Sequence, residues 1–421
     1  MKKRKTSPLQ QLAGSAKAVL QNVLVALENQ TGAPADQIVI LDDCFPNLVS
    51  SFRIAEFNAL MERFPQAQVH SSCKATGAAH GKTLEAALDE YARAYPSLAQ
   101  RVQAFHPRRK LRGSVGYMVF LSNVLRYLGA LERDGLPFVF TLYPGGGFRL
   151  DDPQSNHKLK ATFASPQFRK VIVTQSITRD YLLAQHLCPA EQIEFIFGGV
   201  VPSNFYTAAV KTKKRYGVDK QTLDICFVAN KYMPQGRDKG YDLFIETARI
   251  LAAKYKQARF HVVGSFTPED FDVSALKERI TFHGTLHTSA LAPFFAGMDV
   301  ILSPNAPFIS APGAFDGFPT GCCMEAGLCG VAVFCTDELR QNEGRWRNGE
   351  EIVLITRQVQ EICDSVETYI ADPNRLALLG ENGRKAFCRI LDLEKQMEPR
   401  ARIIRQLATL DPAPELKSRA A

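Results

Sequence analysis

The sequence has no Cys-x-x-Cys pair, no internal repeat, no low-complexity stretch and no uninterrupted apolar run of the ~18 residues a spanning helix needs. Each absence removes a class. Its ten cysteines, at positions 44, 73, 188, 226, 322, 323, 329, 335, 363 and 388, form no regular framework. A chain of 421 residues is also far too long to need stapling, so reduced thiols in a cytoplasmic protein are expected. Several lie inside apolar runs, as Cys226 does in "LDICFVA", and read as small core residues. Lys and Arg exceed Asp and Glu by 51 to 43, but the excess is dispersed and no aromatic-basic interleave accompanies it, which argues against nucleic acid. A net charge of +8 still favours phosphates or an anionic surface as partners.

What is present is a rhythm of short β-branched runs and longer helical patterns, the mark of parallel sheets covered by helices. Residues 37–205 carry it once, with "QIVILDD", "QVHSS", "LPFVFTLYP", "KVIVTQ" and "QIEFIFGGVV" as strands and "SSFRIAEFNALMERF" and "SVGYMVFLSNVLRYLGALERDG" as helices. Residues 206–222 form a polar linker whose Lys211, Lys213, Lys214 and Arg215 read as a solvated face. Residues 223–392 restart the pattern with "LDICFVA", "ARFHVVGS", "ITFHGTL", "MDVILSP" and "VAVFCT". The expected fold is therefore α/β, two Rossmann-like doubly wound domains facing across a cleft. A helix over 393–410 is expected to return to the first domain, and 411–421 to be a disordered tail.

Residues 1–36 begin "MKKRK" in the manner of an export signal, but Gln10, Gln11, Lys17, Gln21 and Asn22 interrupt the apolar run. Val19, Leu20, Val23, Leu24 and Leu27 recur at helical spacing. This amphipathic extension would pack on the body of the protein or a partner, or dock at the inner face of an anionic membrane.

Ligands of open parallel sheets bind beyond the carboxyl ends of the strands. "VANKYMPQGRDKGYDLF" follows a strand and brings Lys231, Arg237 and Lys239 to a helix start, a setting for a phosphate or diphosphate. It is neither a Walker loop nor G-x-G-x-x-G. "FHGTL" ends a strand on Gly284, Thr285 and Leu286, bare backbone against which a flat base could lie. "DGFPTGCCMEAG" lies between strand and helix: Gly317 permits close approach, Pro319 stiffens the turn, and a helix beginning near Thr320 or Gly321 turns its positive end outward. Asp316 and Glu325 flank it as acceptors for hydroxyl groups. In the first half "YPGGGFRLDD" offers Tyr143, Gly145, Gly146 and Gly147 to the cleft for acceptor or donor. The acidic pairs Asp42-Asp43 and Asp151-Asp152 are not read as metal ligands, and His106, His157 and His283 are not assigned a catalytic role.

"KGYDLFIETARIL", "HVVGS", "ITFHGTL", "DVILSP", "DGFPTGCCMEAGLCGVAVFCTD" and "NGEEIVLI", in this order, resemble the nucleotide-sugar-dependent glycosyltransferases of family 4, of the GT-B fold. "VIVTQSITRDYLL", "IEFIFGGVVPSNFY" and "LPFVFTLYPGGGF" resemble the first domain of its bacterial polysaccharide-building branch. The resemblance implies a retaining transferase needing neither metal nor cofactor, which moves a sugar from a nucleotide diphosphate to a glycan or lipid-linked glycan for surface polysaccharide or capsule. It places Lys239 on the donor diphosphate, aided by Lys231 or Arg237, although that family's arginine lies nearer the Lys-Gly pair than Lys231 does. Asp316 takes the place of the family's first glutamate, at the donor sugar, with Gly317, Phe318, Pro319 and Thr320 beside it. Glu325 takes the second, at the ribose, and Gly284–Leu286 receive the base. The family's acids are eight positions apart, and these are nine. One extra helical residue would rotate Glu325 by about 100°, whereas an extra loop residue would leave it in place.

Two other functions suit the same architecture. An epimerase of nucleotide sugars would need an acid/base pair over the ring, and no such pair stands out. A non-catalytic GT-B module binding a nucleotide or glycan within a synthesis complex would tolerate the altered acid spacing.

Overall fold

The computed structural model describes residues 38–73 and 82–409, so the N-terminal extension and the C-terminal tail lie outside the described residues. Strands β1 Ile38–Asp42, β2 Gln68–Ser71, β3 Val102–Ala104, β4 Val115–Val119, β5 Phe138–Leu142, β6 Phe168–Val173 and β7 Ile193–Phe195 form one sheet in the order β3-β2-β1-β4-β5-β6-β7. Strands β8 Leu223–Val228, β9 Ala258–Val263, β10 Ile280–Phe282, β11 Val300–Ser303, β12 Ala332–Cys335 and β13 Val353–Leu354 form a second, ordered β10-β9-β8-β11-β12-β13. Every pairing between these strands is parallel. Both sheets thus follow the doubly wound Rossmann order, with strand direction of growth reversing between β1 and β4 and between β8 and β11. Central strands such as β1 are buried at every residue, because helices cover both faces.

The stretch 114–135 is not one helix. Val115–Val119 is the central strand β4, buried throughout, and the helix runs only from Leu121 to Arg133. A continuous apolar run suits a two-face-buried strand as well as a helix, and periodicity cannot separate them. Phe120, at φ 69°, makes the break. The short strands β3 and β13 carry too few residues to stand out from sequence.

The basic run after the first domain is not wholly solvated either. Lys211 and Lys214 are exposed, but Lys213 is buried and donates to the carbonyl oxygens of Phe295 (3.1 Å) and Met298 at the end of the helix Thr288–Gly297. A cation there satisfies carbonyls that the helix leaves unpaired. Burial lowers its ammonium to about 8.

The final helix, Leu393–Ala408, packs on the first domain: Met397, Ile403 and Ile404 join the cluster of Ile38, Ile40 and Val115. Arg400 is fully buried there, its Nε 3.4 Å from Glu56 Oε1, while Tyr143 donates to Glu56 Oε2 at 2.9 Å. All ten cysteines are unpaired, and burial pushes thiols such as Cys329 up to about 12. Among the described residues, no helix is long and apolar enough to cross a membrane.

Candidate functional site

A cavity of about 410 Å³ lies between the carboxyl ends of the two sheets. Both reversal points open onto it: Ser51, at the start of the helix after β1, and Phe120, directly after β4, come from one domain, and Asn230, Lys239, Asn305 and Asp316, from the connections after β8 and β11, from the other. Gly317, Pro319, Thr320 and Glu325 line it as well, as do Thr285, Leu286 and Tyr143.

Lys239 ends a 3₁₀ turn, Pro234–Lys239, and precedes the helix Tyr241–Lys254. Gly240 between them sits at φ 72°, and a Cβ there would fall 2.2 Å from the Pro304 carbonyl oxygen. The Lys-Gly pair is thus a steric requirement, since only glycine lets this turn close on the end of the strand β11. Lys239 Nζ meets both oxygens of Asp316 at 2.7 Å, and Asn305 Nδ2 donates to Asp316 Oδ2 at 2.8 Å. Burial works to lower the Lys239 ammonium, but the Asp316 and Asp238 carboxylates outweigh it and hold the group above its usual range. A charged ammonium and a carboxylate that is part-exposed to the cavity stand side by side.

Lys231 and Arg237 do not join them. Lys231 is ion-paired with Asp270, and Arg237 is exposed with its Nε 3.2 Å from Gln235 Oε1; neither lines the cavity. Among the lining residues the second cation is Arg53, from the opposite domain. Its guanidinium lies over the rings of Phe52 and Phe120 at 5.0 and 4.8 Å and is tied to Asp42 at 3.0 Å. Asp42 also accepts from the backbone of Cys44 and Phe45 and from Asn123, so this acid anchors a loop. Asp152 caps the helix Pro153–Phe163.

The segment from Asp316 carries both acids to one cavity. Residues 316–320 stay outside the helix, which runs Gly321–Leu328 with Thr320 as an N-cap that makes no side-chain capping bond. Thr320, Gly321 and Cys322 line the cavity, so the first helical turn opens onto it. Glu325 lines the same cavity as Asp316. Gly317 approaches the first domain closely, its Cβ position lying 3.2 Å from Gln175 Nε2. Phe318 leaves the cavity and packs edge-on against Trp346 in the core. Cys323 is buried beside it, whereas Cys322 reaches the cavity wall.

Glu325 is 5% exposed and accepts from the Ser51 hydroxyl across the cleft, with Tyr206 beside it. Burial raises its carboxyl to about 7, and the Ser51 hydroxyl, which donates to it, and the nearby Tyr206 hydroxyl oppose the rise. The neighbouring Thr288 hydroxyl donates to Leu48 O at 2.8 Å, a second contact between the domains next to Thr285 and Leu286. Gly284 itself does not line the cavity; its carbonyl accepts from Gly264 N–H at 2.9 Å and thereby shapes the loop.

Tyr143 reaches the cavity but Gly145, Gly146 and Gly147 do not. All three have positive φ, and a Cβ on Gly146 would lie 2.4 Å from the Phe120 ring. The glycines let the chain fold under Phe120, whose ring then forms part of the wall. Sequence reasoning passed over Ser51, Arg53, Phe120, Gln175 and Asn305. The strand-end rule would have flagged Asn305, two residues past β11, and Ser51, the first residue of the helix that follows β1. Gln175, two residues past β6, and Phe120, directly after β4, obey the same rule, although β4 was hidden in an apparent helix; no local signal marks Arg53.

Residues 222–372 match the family model described as glycosyl transferases group 1. No curated protein matches the chain. Among solved structures, sucrose-phosphate synthase from Thermosynechococcus elongatus is similar over 88% of this chain and 99% of its own, at 15% identity and a TM-score of 0.58. HepE of Anabaena, solved with UDP and glucose, is similar over 88% and 100%, at 16% identity and 0.58. A glycosyltransferase from Rickettsia africae is similar over 89% and 99%, at 12% identity and 0.59. The fold is GT-B, and over residues 222–372 the resemblance seen in the sequence holds at the level of group 1 glycosyl transferases.

Proposed function

From a GT-B fold whose second domain matches the group 1 glycosyl transferases, we infer that this chain is a retaining, metal-independent transferase of sugars from nucleotide diphosphates to a glycan or lipid-linked acceptor in surface polysaccharide synthesis. One observation carries the reading. Lys239, paired with Asp316, and the buried acid Glu325 line one cavity at the reversal points of both sheets. A nucleotide sugar needs a cation for its diphosphate and acceptors for its sugar and ribose hydroxyls. HepE of Anabaena, of the same fold, is seen with UDP and glucose.

In the proposed reaction the acceptor hydroxyl attacks the anomeric carbon on the face the diphosphate leaves. The bond from that carbon to the diphosphate oxygen breaks, and the departing oxygen takes the acceptor proton. Negative charge grows on the diphosphate, and the Lys239 ammonium and the open first turn of the helix Gly321–Leu328 would stabilise it. Those groups supply what a metal ion would otherwise supply. Phe52, Phe120 and Tyr143, in mutual ring contact on the first-domain wall, would face the acceptor.

Incubation with UDP-, GDP-, ADP- and TDP-sugars tests the reading. Release of the nucleoside diphosphate, with the product's anomeric configuration matching the donor's by NMR, is the expected result. An altered sugar still attached to its nucleotide would show an epimerase, and binding without turnover a non-catalytic module.

A further inference from the structure

Lys239 cannot keep its present partner and also serve a diphosphate fully. An ammonium has three N–H donors, and Lys239 directs donors to both oxygens of Asp316. On the donor reading proposed above, an arriving diphosphate draws Lys239 away and leaves Asp316 beside a new negative charge. A free carboxylate would be repelled from the position in which it should meet the sugar.

Asn305 is the group that remains. Its Nδ2 donates to Asp316 Oδ2 at 2.8 Å, and its Oδ1 accepts from the Ser303 hydroxyl at 2.7 Å, which fixes the amide's orientation. Its carbonyl oxygen accepts from Thr336 Oγ1 at 2.6 Å, and the next residue, Ala306, donates its N–H to Asp238 O at 2.9 Å. The side chain is thus bound to the end of β11, its main-chain carbonyl to the residue after β12, and the next residue to the turn that carries Lys239. We propose that Asn305 is a positioning residue that tethers Asp316 by one oxygen while Lys239 exchanges it for the diphosphate, leaving the other oxygen to accept hydroxyls of the donor sugar. Diphosphate and sugar are then recognised as one unit, because the first frees the carboxylate that reads the second.

The test compares two ligands on one protein. Calorimetric titration of wild type, Asn305→Ala and Asn305→Ser uses UDP-, GDP-, ADP- and TDP-sugars together with the corresponding free nucleoside diphosphates. Loss of a hydrogen bond to a charged group predicts that Asn305→Ala binds the nucleotide sugar at least about tenfold more weakly. Its affinity for the free nucleoside diphosphate should stay within about twofold, since that ligand does not use Asp316. Asn305→Ser, which keeps a hydroxyl donor on a shorter side chain, should fold and recover part of the loss. Equal losses for both ligands, or no loss for either, in a folded variant would overturn the positioning role alone. Wild type that binds neither ligand of any pair would overturn the donor reading and this role with it.

Discussion

The Ser51 hydroxyl of the first domain donates to the Glu325 carboxylate of the second. This contact spans the cleft at the acid assigned to the ribose, so a bound nucleotide and Ser51 compete for one acceptor. Ser51→Ala should therefore bind nucleoside diphosphates more tightly, by up to about fivefold for a hydrogen bond of about 1 kcal/mol. Titration calorimetry measures it. A weaker complex would instead make Ser51 part of the ribose site.

Glu325 also sets a pH dependence. Its folded-state carboxyl lies near 7 rather than at its ordinary 4.5, so the native state binds the extra proton and stability falls as pH rises from about 4.5 to about 7. Glu325→Gln removes this slope and should be more stable than wild type above pH 7, by an amount on the order of 3 kcal/mol at most. Urea unfolding at pH 5 and pH 8 gives the comparison. An equal difference at both values would place the cause elsewhere.

Lys239→Ala removes the ammonium assigned to the leaving diphosphate. By analogy with lost oxyanion donors, turnover should fall about a hundredfold or more. Circular dichroism should show an unchanged fold, since the Asp316 it leaves behind is part-exposed to the cavity and hydratable. Near-normal nucleotide release would remove Lys239 from the mechanism.

Arg400→Ala leaves Glu56 buried without its cation, because both side chains are fully buried. Stability should drop by about 3–5 kcal/mol, seen as an earlier urea midpoint. Arg400→Met with Glu56→Leu should restore much of it, as apolar pairs often replace buried ion pairs at little cost. No recovery would indicate that Tyr117 and Tyr143, which both hydrogen-bond Glu56, need the charge.

Much of the fold was legible because buried parallel strands announce themselves as apolar runs. β8, β9, β11 and β12 fall within the runs "LDICFVA", "ARFHVVGS", "MDVILSP" and "VAVFCT". The same property hid β4 inside an apparent helix, since burial on both faces erases the alternation that distinguishes a strand. The loop acids were legible for a different reason: Asp316 and Glu325 lie where the doubly wound fold puts ligands, and their chemical type suits hydroxyl groups.

Local pattern by itself determined the parallel α/β architecture, the Lys-Gly turn and the choice of Asp316 and Glu325 as candidates, because these depend on residues near one another in the chain. Only the tertiary structure decided which groups share a cavity. It turned Lys231 to Asp270, brought Arg53 and Ser51 from the opposite domain, sent Phe318 to the core and kept residues 316–320 out of the helix, so that acids nine positions apart meet in one pocket. Contacts such as Ser51 to Glu325, separated by 274 residues, follow from how two sheets are packed, which no local spacing encodes.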